Sequence, residues 1–205
     1  MTIYLIRHGQ TDWNVSGQFQ GFSDIELNER GREEARWARK ALSMTPLERI
    51  YCSDLSRAKE TASIIGESHD LEIEHTERFR ECNFGAWEGL TFEEIQRGHP
   101  EDFKAWGQDN VTLKSHGGES TKELQERVIA ALDEVAKGKE EAVSIVCHAG
   151  VIKAILCHIL GMDLRDRYNI EIDNASITKL ETKPGGYRVL YTNHSLVQME
   201  EGPWL

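Results

Sequence analysis

The chain has 205 residues, 39% of them hydrophobic, which is enough to enclose a full core and favours one domain. Thirty-five acidic against twenty-four basic side chains leave a formal net charge of -11, which argues against nucleic acid or an anionic membrane surface as a partner. No apolar run approaches the roughly eighteen residues a membrane-spanning helix needs, and Met1 leads straight into a strand pattern, so a soluble cytoplasmic protein is expected.

Ile3-Tyr4-Leu5-Ile6 is a short apolar run that stops at Arg7, His8 and Gly9. It fits a buried strand of a parallel sheet, and in such sheets ligands bind outside the carboxyl ends of the strands. Residues 15–27, rich in Gly, Gln, Ser and Asp, read as a loop near that end. Asn28 can cap a helix through about Ser43, with Ala35, Ala38, Ala41 and Leu42 facing inward. Residues 49–52 form the next strand. Ser53-Asp54 can cap a helix that carries Leu55, Ala58, Ala62 and Ile65 on one side and Arg57 in its first turn. Residues 71–75 read as a short strand and residues 81–89 as a glycine-punctuated functional loop holding Phe84 and Trp87. Thr91 with Glu94 makes a capping box, Pro100 starts a further helix, and residues 91–118 as a whole read as a small helical lid. Ser120 with Glu123 opens a long helix to about Lys137, with Leu124, Val128, Leu132 and Val135 at helical spacing.

Residues 142–147 are a second strongly apolar strand, ending at His148-Ala149-Gly150. Residues 151–160 follow as an apolar helix stopped by Gly161. Residues 176–181 and 187–192 alternate around Lys183-Pro184-Gly185-Gly186, a hairpin pattern. Strands alternating with helices predict a three-layer α/β/α sandwich with a mostly parallel sheet. Cys52, Cys82, Cys147 and Cys157 lack disulfide-scaffold density and read as reduced, buried, small hydrophobes. A zinc site from Cys147-His148 and Cys157-His158 is the alternative, but typical ligand spacing is missing and no metal is expected.

Two histidines and two arginines at strand ends and helix starts, with a glutamate on a separate loop, can hold and transfer a phosphoryl group. Arginine presents a planar donor fork matched to phosphate oxygens, and a helix start adds backbone donors and a favourable dipole. Arg7, Arg57 and the helix after His148 each supply one such element. A neutral imidazole is a competent nucleophile, and covalent catalysis divides one hard displacement into two easier ones.

The motif order is more specific than any one spacing. Leu5-Ile6-Arg7-His8-Gly9-Gln10-Thr11 with Asn14, then Gln20-Gly21 with Asp24, Leu27 and Gly31, closely resembles the opening of the histidine phosphatase superfamily, also called the phosphoglycerate mutase-like family. Ser53 to Ala62 resembles its second arginine motif, Arg80-Glu81 through Glu88-Gly89 its acid loop, and Cys147 to Val151 its second histidine; Gly118-Glu119-Ser120 and Asn174-Ala175-Ser176 also fit. The resemblance implies a phosphoglycerate mutase-like fold and a metal-independent phosphoric monoester hydrolase of the histidine acid type, with no cofactor. It implies His8 as the nucleophile that becomes phosphohistidine, Glu81 as proton donor, Arg7, Arg57 and His148 as the phosphate pocket, and Asn14 as a further phosphate contact. Gln20, Gly21 and Ala149 join the expected substrate-binding residues. Glu88 lies on the acid loop and could replace Glu81, Asn14 could instead cap a helix, and His116 on the lid could reach a substrate.

Ala149 stands where the family usually has glycine but keeps the N–H donor, and residues 108–117 carry only Lys114 as a cation, which favours a phosphatase over a mutase. The alternatives are a 2,3-bisphosphoglycerate-dependent phosphoglycerate mutase and a non-catalytic phosphate-binding regulatory module. The partner expected is a small-molecule phosphate ester, and a homodimer stays open.

Overall fold

The computed structural model describes residues 1–115 and 117–195, so His116 lies outside the described residues. In chain order the strands are β1 (Thr2–Arg7), β2 (Arg49–Ser53), β3 (Ile73–Thr76), β4 (Ala142–Cys147), β5 (Ile177–Lys183) and β6 (Gly186–His194). The α-helices are α1 (Asp12–Val15), α2 (Glu29–Leu42), α3 (Ser56–Gly66), α4 (Phe92–Gly98), α5 (Pro100–Gln108), α6 (Thr121–Val135) and α7 (Ala149–Leu160).

The six strands form one sheet in the order β3-β2-β4-β1-β5-β6. The first four neighbours pair in parallel, and the β5–β6 hairpin adds antiparallel strands at one edge. Alternation along the strands divides the core between two faces. Ile3 and Leu5 of β1 join Val143 and Ile145 of β4 in packing against Leu124, Val128 and Leu132 of α6 and Val151 and Ile155 of α7. Tyr4 and Ile6 join Ile50 and Cys52 in packing against Ala38 and Leu42 of α2 and Ala58, Ala62 and Ile65 of α3. The result is the expected three-layer sandwich. Every residue of β4 is buried, because helices cover both faces of a central parallel strand. The four cysteines are free and buried.

The capping boxes of α4 at Thr91 and Glu94 and of α6 at Ser120 and Glu123 form as read, Pro100 occupies the first turn of α5, and Gly161 ends α7 in the left-handed conformation. Element ends shift by a few residues. The third strand is 73–76 rather than 71–75, α6 stops at Val135, α7 begins at Ala149, and the hairpin's second strand runs from Gly186 to His194. One cap is corrected. Leu55, not Ser53 or Asp54, is the N-cap of α3, and it supplies no side-chain bond. Asp24, from the loop before α2, accepts instead from the Ser56 N–H (2.6 Å) and Oγ (2.9 Å), while Asp54 is held by Arg80. A carboxylate reaching through space serves the exposed helix donors as well as a local one.

The short helix α1 lies inside the motif that opens the chain. Thr11 is its N-cap, and Asn14 plays the part usually taken by Glu in the reciprocal box. Among the described residues no helix is long and apolar enough to cross a membrane.

Candidate active site

Pairing of β1 with β4 sets Arg7 opposite Cys147, so the next residues, His8 and His148, emerge side by side. The His8 N–H donates to Cys147 O (2.9 Å), and its carbonyl accepts from Ala175 N–H (3.2 Å) and Asn174 Nδ2 (3.1 Å). The two imidazoles meet edge to face with centroids 5.1 Å apart. His8 Nδ1 lies 2.7 Å from Gly9 O. A carbonyl can only accept, so Nδ1 carries the proton and Nε2 keeps its lone pair. Burial, then the neighbouring Arg57 and Arg7 guanidiniums, holds the His8 pKa well below 6.5. The ring is therefore a neutral imidazole of fixed tautomer.

Arg57 is fully buried in the first turn of α3, where Ser23 O and Gly21 O each accept one of its N–H groups at 2.7 Å. Thr61 locks this turn to the strand end, donating to Arg57 O and accepting from Gly9 N–H. Arg7 donates to Ile172 O at 2.7 Å. Around these groups Arg7 Nε, Arg57 Nε, Gln20 Oε1 and both ring nitrogens of His148 are buried without a hydrogen-bond partner among the described residues. A buried donor lacking an acceptor destabilises a fold by about 1–3 kcal/mol. Arg7, Gln20 and Arg57 line one pocket of about 290 Å³ with His8, Asn14 and Glu81, and its two guanidiniums suit it to the oxygens of an anion.

Glu81 bridges two elements: Oε1 accepts from Cys82 N–H (2.9 Å) and Oε2 from Gly150 N–H (3.0 Å) in the first turn of α7. It also faces a second, larger cavity of about 470 Å³ under residues 92–115, and Phe19, Phe84 and Ala149 line both spaces. The carboxyl thus stands at the junction between a polar pocket and an apolar one. Glu88, the alternative acid, lines neither space. Its carboxylate accepts from Phe22 N–H, Ser23 N–H, Ser23 Oγ and Phe84 N–H, and so works as a strut between two loops.

The structure brings His8, Arg7, Arg57, Glu81, Asn14, Gln20 and Ala149 together at the pocket. Asn14 has the local capping role that was the alternative reading, its Oδ1 accepting from Thr11 and Asn174, and it also lines the pocket. Two residues stand behind the surface. His148 is fully buried beneath the His8 ring, and Gly21 acts through the carbonyl that holds Arg57. Burial and then Arg57 keep the His148 pKa well below 6.5 as well.

Sequence reasoning gave no role to Asn174 and Ala175, although their motif was noted, nor to Thr61 or Arg127. Arg127 of α6 donates to the carbonyls of Arg78, Arg80 and Glu81 and pairs with Glu119 at 2.8 Å, securing the loop that carries the acid. The zinc alternative does not assemble. Cys147-His148 precede α7 and Cys157-His158 lie in its last turn, roughly 15 Å away along the axis.

Residues 3–195 match the histidine phosphatase superfamily (branch 1). The chain is 36% identical over 175 residues to phosphoserine phosphatase 1 of Hydrogenobacter thermophilus, covering 85% of this chain and 83% of that one. It is 34% identical over 188 residues to the glucosyl-3-phosphoglycerate phosphatase of Mycobacterium tuberculosis, covering 87% and 84%. Among solved structures, a mycobacterial glucosyl-3-phosphoglycerate phosphatase in complex with VO3 superposes with a TM-score of 0.85 at 33% identity, covering 95% of this chain and 99% of that one. With its two strand-end histidines and paired arginines set in this fold, the chain belongs to the histidine phosphatase superfamily and is a phosphatase.

Proposed function

We propose that the protein hydrolyses phosphate monoesters of small organic alcohols in the cytoplasm by double displacement on His8, with residues 91–118 forming the lid. The supporting observation is the junction: a neutral, tautomer-fixed imidazole and unpartnered guanidinium donors on one side, an apolar cavity on the other, and Glu81 between them.

In the first step His8 Nε2 bonds to phosphorus as the ester P–O bond breaks, and the departing oxygen takes a proton from the Glu81 carboxyl. Arg7 and Arg57 bind the three non-bridging oxygens, where most of the catalytic stabilisation of phosphoryl transfer lies. In the second step water attacks the phosphohistidine, Glu81 takes its proton, and phosphate leaves with His8 restored. His148, beneath the nucleophile, fixes its ring plane. Because His8 stays unprotonated into mildly acidic solution, the acid-type subclass is the natural one. The activities named for the two relatives, on phosphoserine and glucosyl-3-phosphoglycerate, support the small-phosphate class.

The test is phosphate release from 4-nitrophenyl phosphate carrying a radiolabelled phosphoryl group, with acid-labile, base-stable label on the protein measured after denaturing at high pH, where phosphohistidine survives. Labelling and turnover are expected in the native protein and loss of both in His8→Ala; unchanged phosphate release by the variant would overturn the assignment. The two guanidiniums supply the positive charge at the site, so dialysis against a chelator is expected to leave the rate unchanged. The mutase alternative predicts rapid conversion of 3-phosphoglycerate to 2-phosphoglycerate with traces of bisphosphate and without phosphate release.

A further inference from the structure

We infer that the 470 Å³ cavity binds the alcohol half of a phosphate monoester that is apolar or aromatic and carries a carboxylate, with Lys153 as the residue that selects the charge. This rests on the phosphatase reading above and narrows its substrate class.

The cavity has the size of pockets that take whole drug-sized ligands, which run to about 300–1,000 Å³. Its walls are aromatic and aliphatic: Phe19 and Phe84 pack edge to face at 4.8 Å, Trp106 stands 6.5 Å from Tyr168, and Phe92 and Leu113 complete the lid side. Phe92 and Tyr168 leave 49% and 54% of their surface exposed, so apolar surface stays open at the cavity they line.

The polar groups of the lining divide into those already matched and one that is not. Glu119 is paired with Arg127. Arg167 donates to Asn110 Oδ1, Asn110 O, Leu164 O and Tyr168 Oη. Lys153 is different. It lies one turn along α7 from Ala149, is half-buried, and has only the Tyr168 ring, 6.0 Å from Nζ, as a described partner. Burial, then Arg7, lowers its pKa despite the opposing pull of Glu81 and Glu171, so the ammonium lacks full compensation where it sits. An anion on the ligand supplies it. An α-ammonium group, in contrast, meets no uncommitted carboxylate among the described lining residues except Glu81, whose proton chemistry it would disturb. Free phosphoserine is therefore a poor fit.

The experiment compares kcat/KM for 4-carboxyphenyl phosphate, 3-carboxyphenyl phosphate, phenyl phosphate and phosphoserine in the native protein, Lys153→Met and Lys153→Arg. The better carboxyphenyl ester should exceed phenyl phosphate and phosphoserine in the native protein. That preference over phenyl phosphate should fall about tenfold in Lys153→Met, the effect of one charge-assisted bond, and be retained in Lys153→Arg. Equal ratios in all three proteins, or phosphoserine as the best ester, would overturn the inference while leaving the phosphatase reading intact. Failure to hydrolyse any ester would sink the phosphatase reading; binding of 4-carboxybenzylphosphonate and benzylphosphonate, measured by calorimetry, then reports on Lys153 without turnover. Equal affinities there would also overturn the inference.

Discussion

Gly150 shows how one missing methyl group sets the position of the Glu81 carboxyl. A Cβ at this position would fall against Glu81 Oε1, on the carboxyl that the Gly150 N–H holds at 3.0 Å. Alanine is the better helix former by about 1 kcal/mol, so Gly150→Ala is expected to leave thermal stability unchanged or raised. Activity should move the other way, because displacing a catalytic group by about 1 Å can cost roughly 10²-fold. The loss should be larger for alkyl phosphates, whose leaving oxygen needs the proton, than for 4-nitrophenyl phosphate, whose leaving group needs it little. Equal losses on both esters would detach Gly150 from proton donation. The Arg7, His8, Arg57 and Glu81 positions were legible in the sequence because each sits in a short local motif. The reason for Gly150, the burial of His148 and the backbone role of Gly21 were not, because each depends on a contact made across the fold.

At the scale of elements, the acid loop has little regular structure and is held from outside. Arg127 reaches from α6 to the carbonyls of Arg80 and Glu81, to that of Arg78 just before the loop, and to Glu119, whose carboxylate also accepts from Asn83 N–H. Arg127→Met removes the donors and leaves a mostly buried carboxylate unpaired, a loss of about 3 kcal/mol. For a chain of this length that lowers Tm by roughly 6–12 °C. As a positioning residue, Arg127 should also matter more for alkyl than for 4-nitrophenyl phosphate, and lysine should rescue little because it lacks the planar fork. A stability loss with an unchanged ratio between the two esters would confine Arg127 to structure. Helices and strands were legible because their periodicity and caps are local, as the boxes at Thr91 and Ser120 show. The cap of α3 was misread because Asp24 lies 32 residues before the donor it serves, and no spacing rule joins them.

For the whole molecule, the same burial that keeps the His8 imidazole neutral makes stability depend on pH. His8 and His148 have folded pKa values well below the ordinary 6.5, each through burial first and Arg57 second. Below 6.5 the unfolded chain binds protons that the folded one refuses, so their contribution is fully present above pH 6.5 and is lost as pH falls below it. His69, lowered by burial, adds to the same trend. Two effects oppose it. Glu34 has a raised pKa through burial and favours the folded state as it protonates, and the net charge of -11 shrinks toward the pI near 5.2, relieving self-repulsion. The paired carboxylates Asp54 and Asp163 have lowered pKa values and stay ionised through this window. The histidines should dominate, since each proton taken up only by the unfolded state costs about 1.4 kcal/mol per pH unit. Urea midpoints measured from about pH 7.5 down to about pH 5 should therefore fall steadily, and His148→Asn should fall with a slope smaller by about one proton. A midpoint that rises on acidification in the native protein, or a variant slope equal to the native one, would show that these imidazoles are not held neutral by the fold.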